Sequence, residues 1–357
     1  MKKIMPILLC VVLTLSACQS NAPELDDTDR RIYLSAAVES SAQTRTPYTL
    51  TTPTPENPVL ADVWASTTPY EYKHVAGADG DGTNEVSLHT KANFQNGSAQ
   101  LLIDAIYPNN NTVYFVAIHP QGWVGNDAGI SASYTFDGKT DVMFAPQTSG
   151  KYGDTNWPKL TFKHLLTWLR IEIVAESEAI SEAWGELQSL TIKSSNNVTI
   201  DLQSDYRPEL VKFGSDGTSI IDMPFYKTGE NNVFPDSNTP YTIPAPPPAN
   251  ADEKIDKMDY VEEVAYVLCE PVTATASEEV DGETKSTTEY TLTVQTTERT
   301  VEVPVDLMSA ANTSFTGSTM GKQFTLLLNF KMGNTITVAA RTTDWETGGI
   351  ASGEITE

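Results

Sequence analysis

A period-two alternation of apolar and polar residues recurs along this chain and constrains its fold more than any other feature. The first such segment places Ile32, Leu34, Ala36 and Val38 on one face. Similar patterns occur at residues 169–173, 290–294, 301–305, 324–330 and 336–340. Successive side chains of a strand point to opposite faces, so this pattern predicts strands with one buried face. The sequence therefore predicts an all-β fold built from β-sandwiches.

Other local patterns add detail to this prediction. Residues 113–118 are apolar throughout, which predicts a strand covered on both faces. Residues 176–188 are rich in Glu and Ala and predict a short helix. The turn residues 195–197 stand between two strand-like segments and predict a hairpin, and the polar residues 278–285 predict a hairpin tip.

The N-terminus has the features of an export signal that ends at Cys18. Lys2 and Lys3 precede an apolar stretch at residues 4–15, which is too short for a membrane span. Residues 15–18, Leu-Ser-Ala-Cys, resemble the bacterial lipobox, in which the thiol receives a diacylglycerol and the new N-terminus is acylated, typically with palmitate. We expect residues 1–17 to be removed and Cys18 to be lipidated, because buried acyl chains contribute about 0.8 kcal/mol per CH₂ to membrane anchoring. The alternative is an ordinary secretory signal with a chance cysteine.

Charge and cysteine content agree with export. The chain has 47 acidic and 23 basic residues, a formal net charge of −24, which repels nucleic acid and excludes it as an expected partner. Residues 18–29 form an acidic tether after the lipid site. Cys10 leaves with the signal and Cys18 carries lipid, so Cys269 is left alone and no internal disulfide is expected.

No catalytic centre is predicted. The four histidines show no metal-ligand spacing, and the chain has no nucleophile elbow, phosphate-binding loop or Cys-x-x-Cys pair. Residues 79–85 offer oxygen ligands but lack the twelve-residue calcium loop, so we expect an acidic turn there. We predict a protein that is not an enzyme and that needs no cofactor or metal. The alternative, an enzyme on a β scaffold, is supported only by acidic residues that the sequence does not assign to a catalytic pair.

Several segments in a fixed order point to a known family. They are Val113-Tyr-Phe-Val-Ala-Ile-His-Pro120, Asp141-Val-Met-Phe-Ala145, residues 160–166 with 169–173, and residues 344–349 with 353–355. They follow a lipobox, an acidic tether, an alternating strand and Thr44-Arg45. In this order they resemble the fimbrillin-like lipoproteins of Bacteroidetes that build type V pili, over essentially the whole mature chain.

The resemblance implies a fold and a way of assembly. It implies two transthyretin-like Greek-key β-sandwich domains in tandem, and a filament, or fimbrium, on the cell surface that serves adhesion. A trypsin-like or arginine-specific protease is expected to cut after Arg45 and free the first strand, residues 30–45. The vacated groove and its unpaired backbone groups would then be filled by a strand of a neighbouring subunit. The expected partners are other fimbrial subunits, the processing protease and the outer membrane through the lipid.

The C-terminal tail is the expected donor strand. Ile336, Val338 and Ala340 share one face, and Trp345 is a large apolar residue in the glycine-rich end that follows. The predicted organisation is a signal peptide (1–17), a tether (18–29), an N-terminal domain (30–155) and a C-terminal domain (156–357) with the donor tail at 334–357. In the alternative for the tail, it is a strand of the chain's own second sandwich with a frayed end.

A different function uses the same export signal and fold. A surface lipoprotein that does not polymerise could bind glycan or another adhesive ligand. Aromatic side chains exposed to solvent can stack on sugar rings, and the sequence offers Trp64, Tyr70, Tyr72 and Trp123 as candidates.

Overall fold

The computed structural model describes residues 31–38, 59–72, 87–94, 98–100, 107, 111–125, 131–202, 211–214, 219–223, 241–248, 256–274, 278–280, 283–285, 290–307 and 317–344. The strands before residue 165 are β1 (Tyr33–Val38), β2 (Val59–Ser66), β3 (Ser87–Phe94), β4 (Ser98–Gln100), β5 (Thr112–His119), β6 (Val124–Gly125), β7 (Ser131–Thr135), β8 (Met143–Lys151) and β9 (Lys159–His164).

The later strands are β10 (Thr167–Ala175), β11 (Glu186–Ser194), β12 (Asn197–Asp201), β13 (Val211–Phe213), β14 (Ser219–Asp222), β15 (Tyr241–Thr242), β16 (Glu262–Cys269), β17 (Thr273–Ala274), β18 (Glu278–Val280), β19 (Glu283–Lys285), β20 (Tyr290–Thr296), β21 (Thr300–Val305), β22 (Gly317–Ser318), β23 (Lys322–Phe330) and β24 (Ile336–Asp344). The described residues also form one α-helix, α1 (Glu178–Trp184), and 3-10 helices at Lys257–Tyr260 and Met332–Asn334. The chain is therefore nearly all β, as the alternation predicts.

The N-terminal strands form a seven-stranded sheet in the order β3-β2-β5-β8-β9-β1-β4. Its two ends, β3 and β4, contact each other, so the sheet curls around the space on its inner face. A hydrophobic core fills this space, and all of its buried members lie between residues 32 and 162. We call it the N-terminal core.

A second, larger core joins the two halves of the chain. Strand β5 is covered on both faces, as predicted, with Val113, Phe115 and Ala117 in the N-terminal core. Val116 and Ile118, on its other face, pack into the larger core with strands of the C-terminal half. The two halves thus share apolar packing, which favours one fixed arrangement over independent movement.

The C-terminal half is built mainly from two sheets. One has the order β16-β10-β23-β24, and the other has the order β14-β11-β20-β21, with β15 added beside β11. A third sheet, β13-β12-β7-β6, combines strands from both sides of the predicted boundary between residues 155 and 156. Strand β9 lies after that boundary yet pairs with β8 and β1. The N-terminal sheet therefore extends to His164, and a cut at residue 155 does not coincide with a division between sheets.

Two local predictions need correction, and a third is confirmed. The turn at residues 195–197 does not close a hairpin, because β11 and β12 belong to different sheets. The predicted helix is limited to Glu178–Trp184, since Gly185 adopts a φ of 72° and the chain then enters β11. The hairpin predicted near residues 278–285 is present, with Glu278 opposite Lys285.

Candidate functional site

The first strand is the best-placed candidate for a removable element. Ile32, Leu34, Ala36 and Val38 are all buried, at 1%, 0%, 6% and 7% exposure, which confirms the predicted apolar face. They pack in the N-terminal core with Leu160, Phe162 and other side chains. Burying large aliphatic side chains contributes roughly 1.5–3 kcal/mol each, so β1 is a substantial part of this core.

Hydrogen bonding holds β1 on both sides. It pairs in parallel with β9 from Ser35, opposite Lys159, to Val38, opposite Phe162. On its other side it pairs antiparallel with the short strand β4. Strand β1 is therefore not an edge strand, because it lies between two neighbours. Its loss would leave a gap inside the sheet with free backbone groups on both sides.

The C-terminal strand is held in a different way. Strand β24 lies at the edge of its sheet and pairs with β23 over nine residues, from Lys322 opposite Asp344 to Phe330 opposite Ile336. Ile336 and Val338 are only half-buried against the larger core, while Ala340 is buried. Ile336, Val338 and Ala340, which were expected to enter a neighbouring subunit, are thus part of the chain's own sheet, as in the alternative for the tail.

Several predicted positions lie outside the described residues. These are the lipidation site Cys18, the cleavage site Arg45, the tail residue Trp345 and the acidic turn at residues 79–85. Lipidation, cleavage and tail exchange remain predictions. In the described ranges, no helix is long and apolar enough to cross a membrane.

Three of the four aromatic residues considered for sugar stacking are in the interior. Trp64, Tyr72 and Trp123 are 0%, 1% and 4% exposed. Tyr72 donates its hydroxyl proton to Gln147 Oε1 at 2.8 Å, and burial raises its pKa. Only Tyr70 is half-exposed. Trp64, Tyr72 and Trp123 therefore cannot form an exposed platform, because their rings belong to the larger core.

One exposed tryptophan was missed by the sequence reasoning. Trp157 is 51% exposed and stacks on Tyr33 of β1, with ring centroids 5.0 Å apart and planes inclined by 18°. It lines a cavity of about 250 Å³. Burial and the neighbouring Asp154 carboxylate raise the pKa of Tyr107, another lining residue, to about 12. The sequence around Trp157 is rich in turn residues and predicted only a domain boundary there.

Two buried histidines stand at the ends of strands β5 and β9, near the buried carboxylate of Asp141. His164 Nδ1 lies 2.5 Å from Asp141 Oδ2, and both residues are buried. His119 Nδ1 lies 2.8 Å from the Leu60 carbonyl oxygen. Burial lowers the pKa of His119, although Asp141 opposes that shift. No His, Cys, Asp or Glu side chains in the described ranges form a group of three or more suited to a metal ion.

Comparison with solved structures places this fold among proteins of Bacteroides. A candidate cell adhesion protein of Bacteroides ovatus matches with a TM-score of 0.51 and 12% identity, over 88% of this chain and 97% of that one. A candidate cell adhesion protein of Bacteroides uniformis matches with a TM-score of 0.49 and 15% identity, over 89% and 99% of the two chains. A fimbrial protein of Bacteroides ovatus matches with a TM-score of 0.32 and 11% identity, over 85% of this chain and 49% of that one.

The first of these matches shows a shared fold. A scan against protein-family models and a search of curated protein sequences found no match.

Proposed function

We propose that this chain is an adhesive subunit of a cell-surface filament, exported as an outer-membrane lipoprotein. Removal of the first strand by a protease would open a groove in the N-terminal sheet. A segment from a neighbouring subunit would fill that groove, and repetition of this step would build the filament. The protein would bind other subunits and would carry out no reaction of its own.

The packing of β1 is the observation that carries this proposal. Ile32, just before the strand, and Leu34, Ala36 and Val38 within it are buried, yet only residues 39–58 join the strand covalently to the rest of the N-terminal sheet. A single cut in that connection, such as one after Arg45, makes β1 a separate peptide held only by non-covalent contacts. Because an empty groove exposes apolar surface and unpaired backbone, the cleaved subunit gains free energy by accepting another strand.

The shared fold gives weaker support for adhesion. The Bacteroides ovatus protein with the TM-score of 0.51 is described as a candidate cell adhesion protein, and its likeness covers nearly the whole of both chains. A surface role also agrees with the high negative charge and the lipobox-like residues 15–18.

Limited proteolysis tests the proposal. Trypsin should cut the folded protein first after Arg45, and the cleaved protein should form ladders on a denaturing gel run without boiling. Arg45→Ala should block both the cut and the ladder. Arg30→Ala is the matched control, because residue 30 precedes β1 and a cut there leaves the strand joined to the domain.

A peptide experiment tests strand replacement directly. A synthetic peptide of residues 31–45 should bind the cleaved subunit and suppress ladder formation, whereas a peptide with Leu34→Asp should not. Polymerisation of the Arg45→Ala variant, or a cleaved protein that stays monomeric with an empty groove, would count against the proposed assembly.

A further inference from the structure

The exposed tryptophan and its surroundings form a built site, which we call the Trp157 pocket. The other described tryptophans, Trp64, Trp123, Trp168 and Trp184, are at most 4% exposed, against 51% for Trp157. An exposed indole costs free energy relative to a buried one, so an exposed indole beside a cavity needs an explanation. Aromatic rings at the edge of a cavity are typical of ligand sites.

Several contacts fix the position of the Trp157 ring. Tyr33 stacks against it, and the following residue, Pro158, accepts hydrogen bonds from the backbone nitrogen and side-chain hydroxyl of Ser35, at 2.9 and 3.3 Å. A Cβ at Gly150 would lie only 2.4 Å from Pro158 Cγ, so the glycine lets this turn approach β8 closely. The ring is therefore preorganised, which lowers the entropic cost of binding a ligand against it.

The polar groups of the pocket have a positive balance. Arg31 and Lys151 bring two cationic side chains, and Asp154 brings one carboxylate. Asp154 Oδ2 already accepts a hydrogen bond from the Lys151 backbone nitrogen at 2.9 Å. Neither cationic side chain has an ion-pair partner within the described part of the chain. These two cations stand beside an aromatic ring in a protein with a net charge of −24.

These features together define a ligand class. An aromatic face packs well on the apolar face of a sugar ring, and the Asn156 amide can both donate to and accept from hydroxyl groups. The guanidinium and ammonium groups match a carboxylate. The volume of about 250 Å³ accommodates one sugar ring. We propose that the Trp157 pocket binds a carboxylate-bearing sugar, such as a hexuronic or sialic acid residue of a glycan.

The proposal goes beyond filament assembly and does not depend on it. It does make one connection to β1, because Tyr33 lies on that strand and Arg31 lies just before it. The complete pocket therefore exists only while β1 is in place.

Matched ligands test the proposal on the uncleaved chain, produced without its signal peptide and Cys18. Galacturonic acid and galactose share a ring and differ in the carboxylate, and acetate supplies a carboxylate without a ring. Titration calorimetry and saturation-transfer NMR should show galacturonic acid binding at least tenfold more tightly than galactose or acetate. The preference over galactose should shrink as salt is raised. N-acetylneuraminic acid is tested in parallel. The tighter binder of the two acidic sugars shows whether the pocket prefers a hexuronic or a sialic acid.

Variants assign the binding to this pocket. Trp157→Ala should reduce galacturonic acid binding at least tenfold, and Lys151→Gln should remove most of the preference over galactose. Lys159→Gln is the matched control, because it makes the same charge change on β9 outside the pocket and should leave binding unchanged. Circular dichroism confirms that each variant is folded.

Three results would overturn the proposal. They are equal binding of galactose and galacturonic acid, equal binding of acetate and galacturonic acid, and unchanged binding by the Trp157→Ala variant. The absence of binding by either acidic sugar up to about 10 mM, an affinity near the weak end for specific recognition, would overturn it as well.

Discussion

The first and last described strands, β1 and β24, are held in opposite ways. Strand β1 has hydrogen-bonded neighbours on both sides and an apolar face that is at most 7% exposed. Among the described strands, β24 pairs only with β23, and its large apolar side chains are only half-buried. Buried side chains contribute most to holding β1 in place, whereas backbone hydrogen bonds to β23 contribute most to holding β24.

This difference suits the two strands to different roles. Losing β1 opens an apolar groove inside the N-terminal sheet, so the protein benefits strongly from a replacement. Losing β24 mainly uncovers one edge of β23, which costs less apolar burial. The more strongly packed strand therefore comes first and the more weakly packed strand comes last, and the proposed assembly would use the groove of the first.

Membrane attachment should depend on the beginning of the chain and not on its end. Cys18 and β1 both precede Arg45, so a cut there leaves the lipid with the small fragment and releases the rest. Cys18→Ala should move the protein from the membrane fraction to the soluble fraction or leave uncut precursor. Fractionation and labelled fatty acid incorporation measure this. Unchanged fractionation of Cys18→Ala, together with no incorporation of labelled fatty acid into the wild-type protein, would contradict lipidation of Cys18. Cys269→Ala is the control.

Assembly should depend on both ends. Deleting residues 344–357 should give a folded monomer with a nearly unchanged melting temperature that no longer joins filaments, since the deletion removes only one pair of the β23–β24 ladder. Gel ladders and thermal melting measure the two effects. Normal polymerisation of the truncated protein would exclude the tail as donor. Unfolding would instead show that the tail serves the chain's own sheet.

Stability should respond more strongly to truncation in β1 than in β24. Leu34→Ala should lower the free energy of unfolding by about 2–5 kcal/mol, because it leaves a cavity in the N-terminal core. Val338→Ala should cost about 1 kcal/mol or less, because its side chain is half-exposed and the strand stays paired. Urea unfolding of both variants gives the comparison, and equal losses would contradict it.

The same contrast shows what the sequence could predict. The buried face of β1 and the two-sided burial of β5 follow from local periodicity, and both are present. The prediction of a hairpin at residues 195–197 was wrong, because turn residues favour a reversal of chain direction but do not determine which strand each flanking strand pairs with. Strands β11 and β12 instead pair with strands of two different sheets, where their apolar faces are buried.

The candidate sites were harder to predict than the strands. A sequence pattern does not separate a core aromatic from an exposed one unless it falls in a clear alternation, so Trp64, Tyr72 and Trp123 were misplaced. Trp157 stands in an irregular turn, where no periodicity indicates its surroundings. Its stacking on Tyr33 joins residues more than a hundred positions apart, and only the fold brings them together.

The smallest expected effect is a pH dependence in the sheet that holds β1. Burial lowers the pKa of His119, with His164 adding to the shift and Asp141 opposing it. The imidazole is then neutral in the folded protein but takes up a proton in the unfolded chain below about pH 6.5. The unfolded state binds more protons in that range, so stability is present above pH 6.5 and falls as the pH drops below it.

His119→Asn isolates this contribution. The Leu60 carbonyl oxygen lies 2.8 Å from His119 Nδ1, and an asparagine amide can still donate to it but does not titrate. Urea unfolding between pH 7.5 and 5 should show a shallower loss of stability in the variant, by at most about 1.4 kcal/mol per pH unit for one proton. The change in unfolding free energy that the substitution causes at pH 7.5 is subtracted, so that only the pH slopes are compared. The Val338→Ala protein should keep the wild-type slope because β24 lies in another sheet. Identical slopes in wild type and His119→Asn would show that His119 does not make the stability of the N-terminal sheet depend on pH.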